Sequence, residues 1–157
     1  MKSAGSCFER EWQTLKHNTS FVFGLALYVG EGSKCIPDVA FVNCDPDVHR
    51  AFVRFLQLLG YESTRLSVLL YLHRGDDSDA ARKFWVEKLG IPASRFTRDV
   101  FVTPRSASGK RIRMQPNGTC RVRVRRSTEL SIKLRTWMSL ALSEYGRVAE
   151  APLFQSG

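Results

Sequence analysis

The chain of 157 residues is poor in the residues that build metal or disulfide frameworks. It has three histidines and four cysteines, and no two cysteines form a C-x-x-C pair; the cysteines are Cys7, Cys35, Cys44 and Cys120. This irregular spacing excludes the usual zinc-finger and disulfide-scaffold classes. We therefore expect reduced thiols, mostly buried, in a chain that is long enough to form a core without such cross-links.

Long apolar runs and a signal-peptide pattern are also missing. The longest apolar run, near residues 21–29, is far shorter than the roughly 20 residues that a membrane-spanning helix needs. With 43% hydrophobic and 25% charged residues, the composition is that of an ordinary globular protein. The sequence predicts no membrane association and no secretion, with a cytoplasmic (nucleoid-associated) or organellar location.

Acidic residues are scarce in the second part of the chain. Residues 1–93 hold 11 Lys or Arg and 11 Asp or Glu, whereas residues 94–157 hold 13 and 4, so the whole formal charge of +9 lies there. Within residues 95–126, ten basic residues accompany one acid, Asp99. Such one-sided charge is typical of a surface that binds a polyanion, and the alternative is a solubilising surface.

Hydrophobic periodicity and turn residues predict nine regular elements. The predicted helices span 8–16, 21–31, 46–59 and 79–89, with a last helix that Ser127 caps, and the predicted strands span 39–43, 65–73, 99–103 and 119–125. This order predicts an α+β fold with an antiparallel sheet that helices cover on one face. We expect residues 1–18 to be an N-terminal appendage, residues 19–145 the domain, and residues 146–157 a loose C-terminal tail.

The last predicted strand alternates strictly between apolar and basic residues. One face carries Cys120, Val122 and Val124, and the other carries Arg121, Arg123 and Arg125. A half-buried antiparallel strand produces this pattern. The sequence therefore predicts three guanidinium groups displayed in a row.

The apolar helix at 21–31 ends in Gly30-Glu31-Gly32, and Glu31 is its only acid. One interpretation is punctuation, in which Gly32 takes the left-handed conformation that ends a helix and Glu31 is the last exposed side chain. The helix is apolar almost all round, so either the rest of the fold or a second copy must cover it. Ala26 and Gly30 are small residues four apart, a spacing that allows close helix packing within one subunit or in a dimer.

The stretch Ala26-Leu27-Tyr28-Val29-Gly30-Glu31-Gly32-Ser33, the amphipathic helix DPDVHRAFVRFLQLLG and the order of later elements resemble the LAGLIDADG homing-endonuclease family. The resemblance covers residues 19–142 and is to a small bacterial branch with a single motif. It implies a homodimer whose interface contains Ala26 and Gly30. It also implies that Glu31 is catalytic and that Glu31 and Gly30 bind Mg²⁺ or another divalent cation. Val29 stands where the family has its first acid, and the connection to the next strand is short.

This family membership would make the protein a site-specific double-strand DNA endonuclease that hydrolyses phosphodiester bonds. Two-fold symmetry would bring Glu31 of both chains together, where divalent cations would relieve their repulsion. The basic residues expected to contact DNA are Lys34, Arg105, Lys110, Arg111, Arg113, Arg121, Arg123 and Arg125. A DNA-binding regulator or accessory protein that keeps the fold without cleaving is the alternative, and RNA binding is a third hypothesis.

Overall fold

The structure is a computed structural model that describes residues 4–33, 35, 37–102 and 115–147. Within these ranges the chain forms five α-helices and four β-strands, all nine of the predicted elements. They are α1 (Ala4–Leu15), α2 (Thr19–Glu31), β1 (Val39–Asn43), α3 (Pro46–Leu58), β2 (Leu66–His73), α4 (Ser78–Leu89), β3 (Val100–Val102), β4 (Thr119–Val124) and α5 (Thr128–Gly146). The predicted α+β class is confirmed.

The four strands form one mixed sheet in the order β1-β4-β2-β3. β4 pairs antiparallel with both β1 and β2, but β3 runs parallel to β2, with Tyr71 opposite Val100 and His73 opposite Val102. The predicted antiparallel sheet is therefore wrong at β3. The physical reason is α4, because a helix between two neighbouring strands returns the chain to the end where the first strand began.

Side chains on the two faces of the sheet differ in burial. Along β2, alternate residues from Leu66 to Leu72 are buried, and they join Val122 and Val124 in the core under the helices. We call the face of the sheet opposite the helices the arginine face. It carries the side chain of Ala40, which is buried, and ten side chains that are half-buried or exposed: Val42, Ser67, Leu69, Tyr71, His73, Val100, Val102, Thr119, Arg121 and Arg123.

The helix α2 packs closely on α3 through aromatic residues. Phe21 contacts Phe55 with ring centroids 5.7 Å apart, and Phe52 stacks on Phe41 of β1 at 4.5 Å. A Cβ atom on Gly24 would lie 2.3 Å from the ring of Phe55, so only glycine allows this approach. One side of α2 is thus fixed against the core.

His49 of α3 is fully buried. Its Nε2 lies 2.9 Å from the carbonyl oxygen of Cys120 and 3.1 Å from that of Asn43, so this nitrogen carries the proton. Burial lowers the pKa of His49, and the two backbone carbonyls oppose that shift in part. Its place follows from the spacing of the buried residues His49, Phe52, Val53 and Leu56, which form one stripe of α3.

The expected burial of the cysteines is wrong, and the expected cap of α5 holds only in part. Cys7, Cys35 and Cys44 are exposed, and Cys120 alone among the four is buried. Ser127 is the N-cap residue of α5, as expected, but its side chain makes no capping hydrogen bond. Its hydroxyl accepts from the amide of Val39 at 3.0 Å and donates to the carbonyl of Pro37 at 2.9 Å, because the tertiary contact with the start of β1 satisfies both roles of the hydroxyl.

Candidate functional site

The chain leaves α2 in an extended conformation. Gly32 has φ −72° and ψ 153°, so the expected left-handed helix end is wrong. Gly32 instead pairs with Phe41 of β1, and the amide of Ser33 donates to the carbonyl of Ala40 at 2.7 Å. A Cβ atom on Gly32 would lie 2.3 Å from the ring of Tyr28. Glycine is required here by close packing, and the end of α2 is thereby fixed beside the edge of the sheet.

Glu31 is the last residue of α2, and it is exposed. The neighbouring Gly32 lies beside Phe41, which is opposite Val122, the residue between Arg121 and Arg123. Two strand spacings, roughly 10 Å, therefore separate the backbone at the end of α2 from β4. The structure brings the end of α2 and two of the expected DNA-binding arginines, Arg121 and Arg123, into one region of the molecule.

One side of α2 is both apolar and exposed. Phe23 is 59% exposed, and Ala26 and Gly30 are exposed on the same side of the helix. A Cβ atom on Gly30 would meet nothing within 4 Å. We call Phe23, Ala26 and Gly30 the α2 stripe. Neither small residue of the stripe is buried in the subunit, in contrast to Gly24 on the opposite side of the helix.

Two arginines of β4 share one carboxylate. A guanidinium nitrogen of Arg123 lies 2.6 Å from an oxygen of Asp38, and Arg121 lies 3.8 Å from the other oxygen. Arg125 lies in the turn after β4, where its amide donates to the carbonyl of Arg65 and its own carbonyl accepts from the Arg65 guanidinium. The expected row is therefore a pair of arginines on the strand, with the third beyond its end.

Asp38 is not among the site residues predicted from the sequence. Asp38 directly precedes β1, and β1 pairs antiparallel with β4, so this acid comes next to the arginines of β4 only after the sheet has formed. Only knowledge that the first strand pairs with the last would have indicated this contact. Hydrophobic periodicity does not contain that information.

Tyr28 links the end of α2 to the chain that follows it. Its hydroxyl donates to the carbonyl of Ser33 at 2.7 Å, and its ring stacks on Phe52 at 6.0 Å. Burial, with a smaller contribution from the charge of Asp38, raises the pKa of Tyr28 to about 12. The hydroxyl therefore stays protonated near neutral pH, and it keeps the backbone after Glu31 in place.

The remaining expected DNA contacts, Lys34, Arg105, Lys110, Arg111 and Arg113, lie outside the described residues. Among the described residues, no group of three or more His, Cys, Asp or Glu side chains could hold a metal ion. One chain offers the Glu31 carboxylate and the Gly30 carbonyl. Because Mg²⁺ in proteins is often bound by one or two carboxylates and completed by water and phosphate oxygens, this donor set fits a site that a second chain and a nucleic acid would complete.

None of the helices in the described ranges is long and apolar enough to cross a membrane. No protein-family model matches the chain, and no curated protein matches it. The functional interpretation therefore depends on three neighbouring features: the α2 stripe, the acid at its end, and the arginine pair beside it.

Proposed function

We propose that this chain is a DNA-binding protein of LAGLIDADG type that acts as a homodimeric, Mg²⁺-dependent endonuclease on double-stranded DNA. The observation that supports this function best is the α2 stripe, an exposed apolar helix face that leads to Glu31. An acid at the end of such a face is expected where two copies of one chain build a shared site.

Dimerisation through the α2 stripe is the first step. The small residues Ala26 and Gly30 allow two helices to approach closely, and Phe23 would be removed from water. Full burial of an exposed phenylalanine contributes about 1.5–3 kcal/mol, so burial of the exposed 59% of Phe23 contributes roughly 1–2 kcal/mol. In a two-fold interface each contact occurs twice, so the gain doubles and both Glu31 side chains lie near the axis.

Binding of DNA by the arginine face is the second step. Arg121 and Arg123 lie on the face of the sheet that the helices do not cover, near the end of α2. In a dimer the two arginine faces would flank the paired Glu31 residues and contact phosphates on either side of them. Each phosphate contact releases counterions, so the affinity should fall steeply with salt.

Positioning of the acid is the third step. Glu31 and the Gly30 carbonyl would hold Mg²⁺, which when bound supplies charge neutralisation at phosphate and activation of water. The chain's own contribution is to fix Glu31 through the Tyr28 hydrogen bond and the close packing of Gly32. The negative end of the α2 dipole adds to the attraction for a cation.

A DNA-binding regulator that does not cleave is the second candidate function. Two observations favour it: Val29 stands where the family has its first acid, and the arginine pair is held by Asp38. Both candidates need the arginine face, and they differ only in the role of Glu31.

The deciding experiment is cleavage of supercoiled plasmid and of a duplex library in Mg²⁺ by the wild type, by Glu31→Gln and by Glu87→Gln. Glu87 is exposed on α4, so its variant is a control for the loss of one acid. We expect cleavage by the wild type and the control, and binding without cleavage by Glu31→Gln. Binding by all three with cleavage by none would refute the nuclease and support the regulator. Failure of the wild type to bind any duplex would refute both.

A further inference from the structure

A cavity of about 170 Å³ lies between α2, the chain that follows α2, and α5. A site for one water molecule needs only about 10–15 Å³, so the cavity is large enough for a small polyatomic ion. Polar groups from three parts of the chain line it, among them Tyr28, Ser33, Asp38, Ser131 and Arg135.

Ser131 provides a buried hydroxyl that no group in the described part of the chain satisfies. The residue is 4% exposed, and its Oγ has no hydrogen-bond partner. By contrast, the hydroxyl of Ser127, one helical turn before Ser131, accepts a hydrogen bond from the amide of Val39 and donates one to the carbonyl of Pro37. Because a buried polar group without a partner is unfavourable, the Ser131 hydroxyl is suited to a ligand that accepts a hydrogen bond.

Arg135 follows Ser131 by one helical turn, so the two side chains are neighbours on one face of α5. In the ranges that the structure describes, the Arg135 guanidinium forms no ion pair, whereas the nearby Lys133 pairs with Glu11 at 3.2 Å and with Glu129 at 3.5 Å. Among the described residues of the lining, Arg135 is therefore a cationic group that is available to a ligand.

The charge around the cavity favours an anion. Asp38 is an acid in its lining, but Arg123 and Arg121 hold its two oxygens. Because that carboxylate is already paired, the Arg135 guanidinium sets the charge that a ligand in the cavity meets.

We propose that this cavity binds a phosphate group, with the Arg135 guanidinium as its charge partner and the Ser131 hydroxyl as a hydrogen-bond donor. The phosphate comes either from a small free phosphate compound or from a nucleic-acid backbone. The proposal goes beyond the nuclease function and does not depend on it, because α5 supplies both groups and the ligand needs no second copy of the chain.

The first arm of the test measures thermal unfolding of the full chain in inorganic phosphate and in chloride at equal ionic strength. We expect phosphate to raise the midpoint of the wild type and of Arg147→Gln, a control that removes one positive charge just beyond the end of α5. Arg135→Gln should weaken phosphate binding about tenfold or more, since charge-assisted hydrogen bonds are lost. Ser131→Ala should lose the phosphate effect while its midpoint in chloride stays equal or rises, because a hydroxyl without a partner is removed.

The second arm distinguishes the two sources with a DNA duplex. If the nucleic-acid backbone supplies the phosphate, Arg135→Gln lowers the slope of log affinity against log salt by about 1, and Arg147→Gln does not. If phosphate raises the unfolding midpoint of the wild type but Arg135→Gln leaves the salt slope of DNA affinity unchanged, the ligand is a free phosphate compound. Equal midpoints in phosphate and chloride, together with equal slopes, would overturn the proposal. The first arm contains no DNA, so a failure of the nuclease hypothesis leaves its result interpretable.

Discussion

Replacement of Asp38 by Asn should tighten DNA binding. The Asp38 carboxylate is shared by Arg121 and Arg123, the two arginines that we expect to contact phosphates. DNA must compete with this carboxylate for both guanidinium groups. Removing the charge while keeping the shape of the side chain frees the arginines and removes an acid that repels phosphate.

The size of the effect follows from the exposure of the ion pair. The side chain of Arg123 is 51% exposed and that of Asp38 is 30% exposed, so solvent screens the ion pair although its N–O distance is only 2.6 Å. Pairs of this kind contribute about 0.2–1 kcal/mol. If DNA binding no longer has to break the pair, the affinity should rise by a factor of roughly 1.5 to 5.

The assay is fluorescence anisotropy of a labelled duplex over a range of salt concentrations, with Glu87→Gln as the control for net charge. Glu87→Gln adds the same charge on the exposed side of α4, so it should change the affinity less than Asp38→Asn does. Weaker binding by Asp38→Asn would show that the carboxylate positions the arginines for their function. Equal affinities of both variants and the wild type would refute phosphate contact by this pair.

Two further predictions concern stability. Gly24→Ala should destabilise the fold by about 1–3 kcal/mol, because the added methyl group overlaps the Phe55 ring. Gly30→Ala, where space within the subunit is open, should leave stability equal or higher in denaturant titrations at protein concentrations too low for dimerisation. The free energy of unfolding should fall as the pH drops below about 6.5, the ordinary His pKa, because the unfolded state binds a proton that buried His49 resists; His49→Gln should reduce this pH dependence.

These two predictions can fail in distinct ways. Equal destabilisation by Gly24→Ala and Gly30→Ala would contradict the close packing of Gly24 on Phe55 and the open space at Gly30. A pH dependence that His49→Gln leaves unchanged would assign the titration to another group. Stability that rises with acid would contradict the sign of the shift, since a group with a lowered histidine pKa loses its contribution as the pH falls.

The elements were predictable because their signals are local. Helix α3 begins at Asp45-Pro46, where the Asp45 side chain accepts from the amides of Asp47 and Val48, and the alternation in β4 placed Val122 and Arg123 on opposite faces. Such capping and periodicity depend on residues a few positions apart.

The errors arose where distant parts of the chain decide the outcome. The parallel direction of β3 depends on how α4 crosses over, and the extended Gly32 depends on pairing with Phe41. The place of Asp38 between two arginines likewise requires that β1 and β4 pair. Glu31, Arg121 and Arg123 were predicted from the sequence as site residues, but their mutual arrangement is a property of the sheet.

We propose that a second copy of the chain binds to the α2 stripe, which would bring two Glu31 side chains together. Sedimentation velocity at several concentrations tests it most directly, with Phe23→Glu as the variant and Leu58→Glu as a control at an exposed leucine of α3. We predict the mass of two chains for the wild type and for Leu58→Glu, and the mass of one chain for Phe23→Glu. A wild-type protein with the mass of one chain at high concentration, with and without DNA, would contradict the claim.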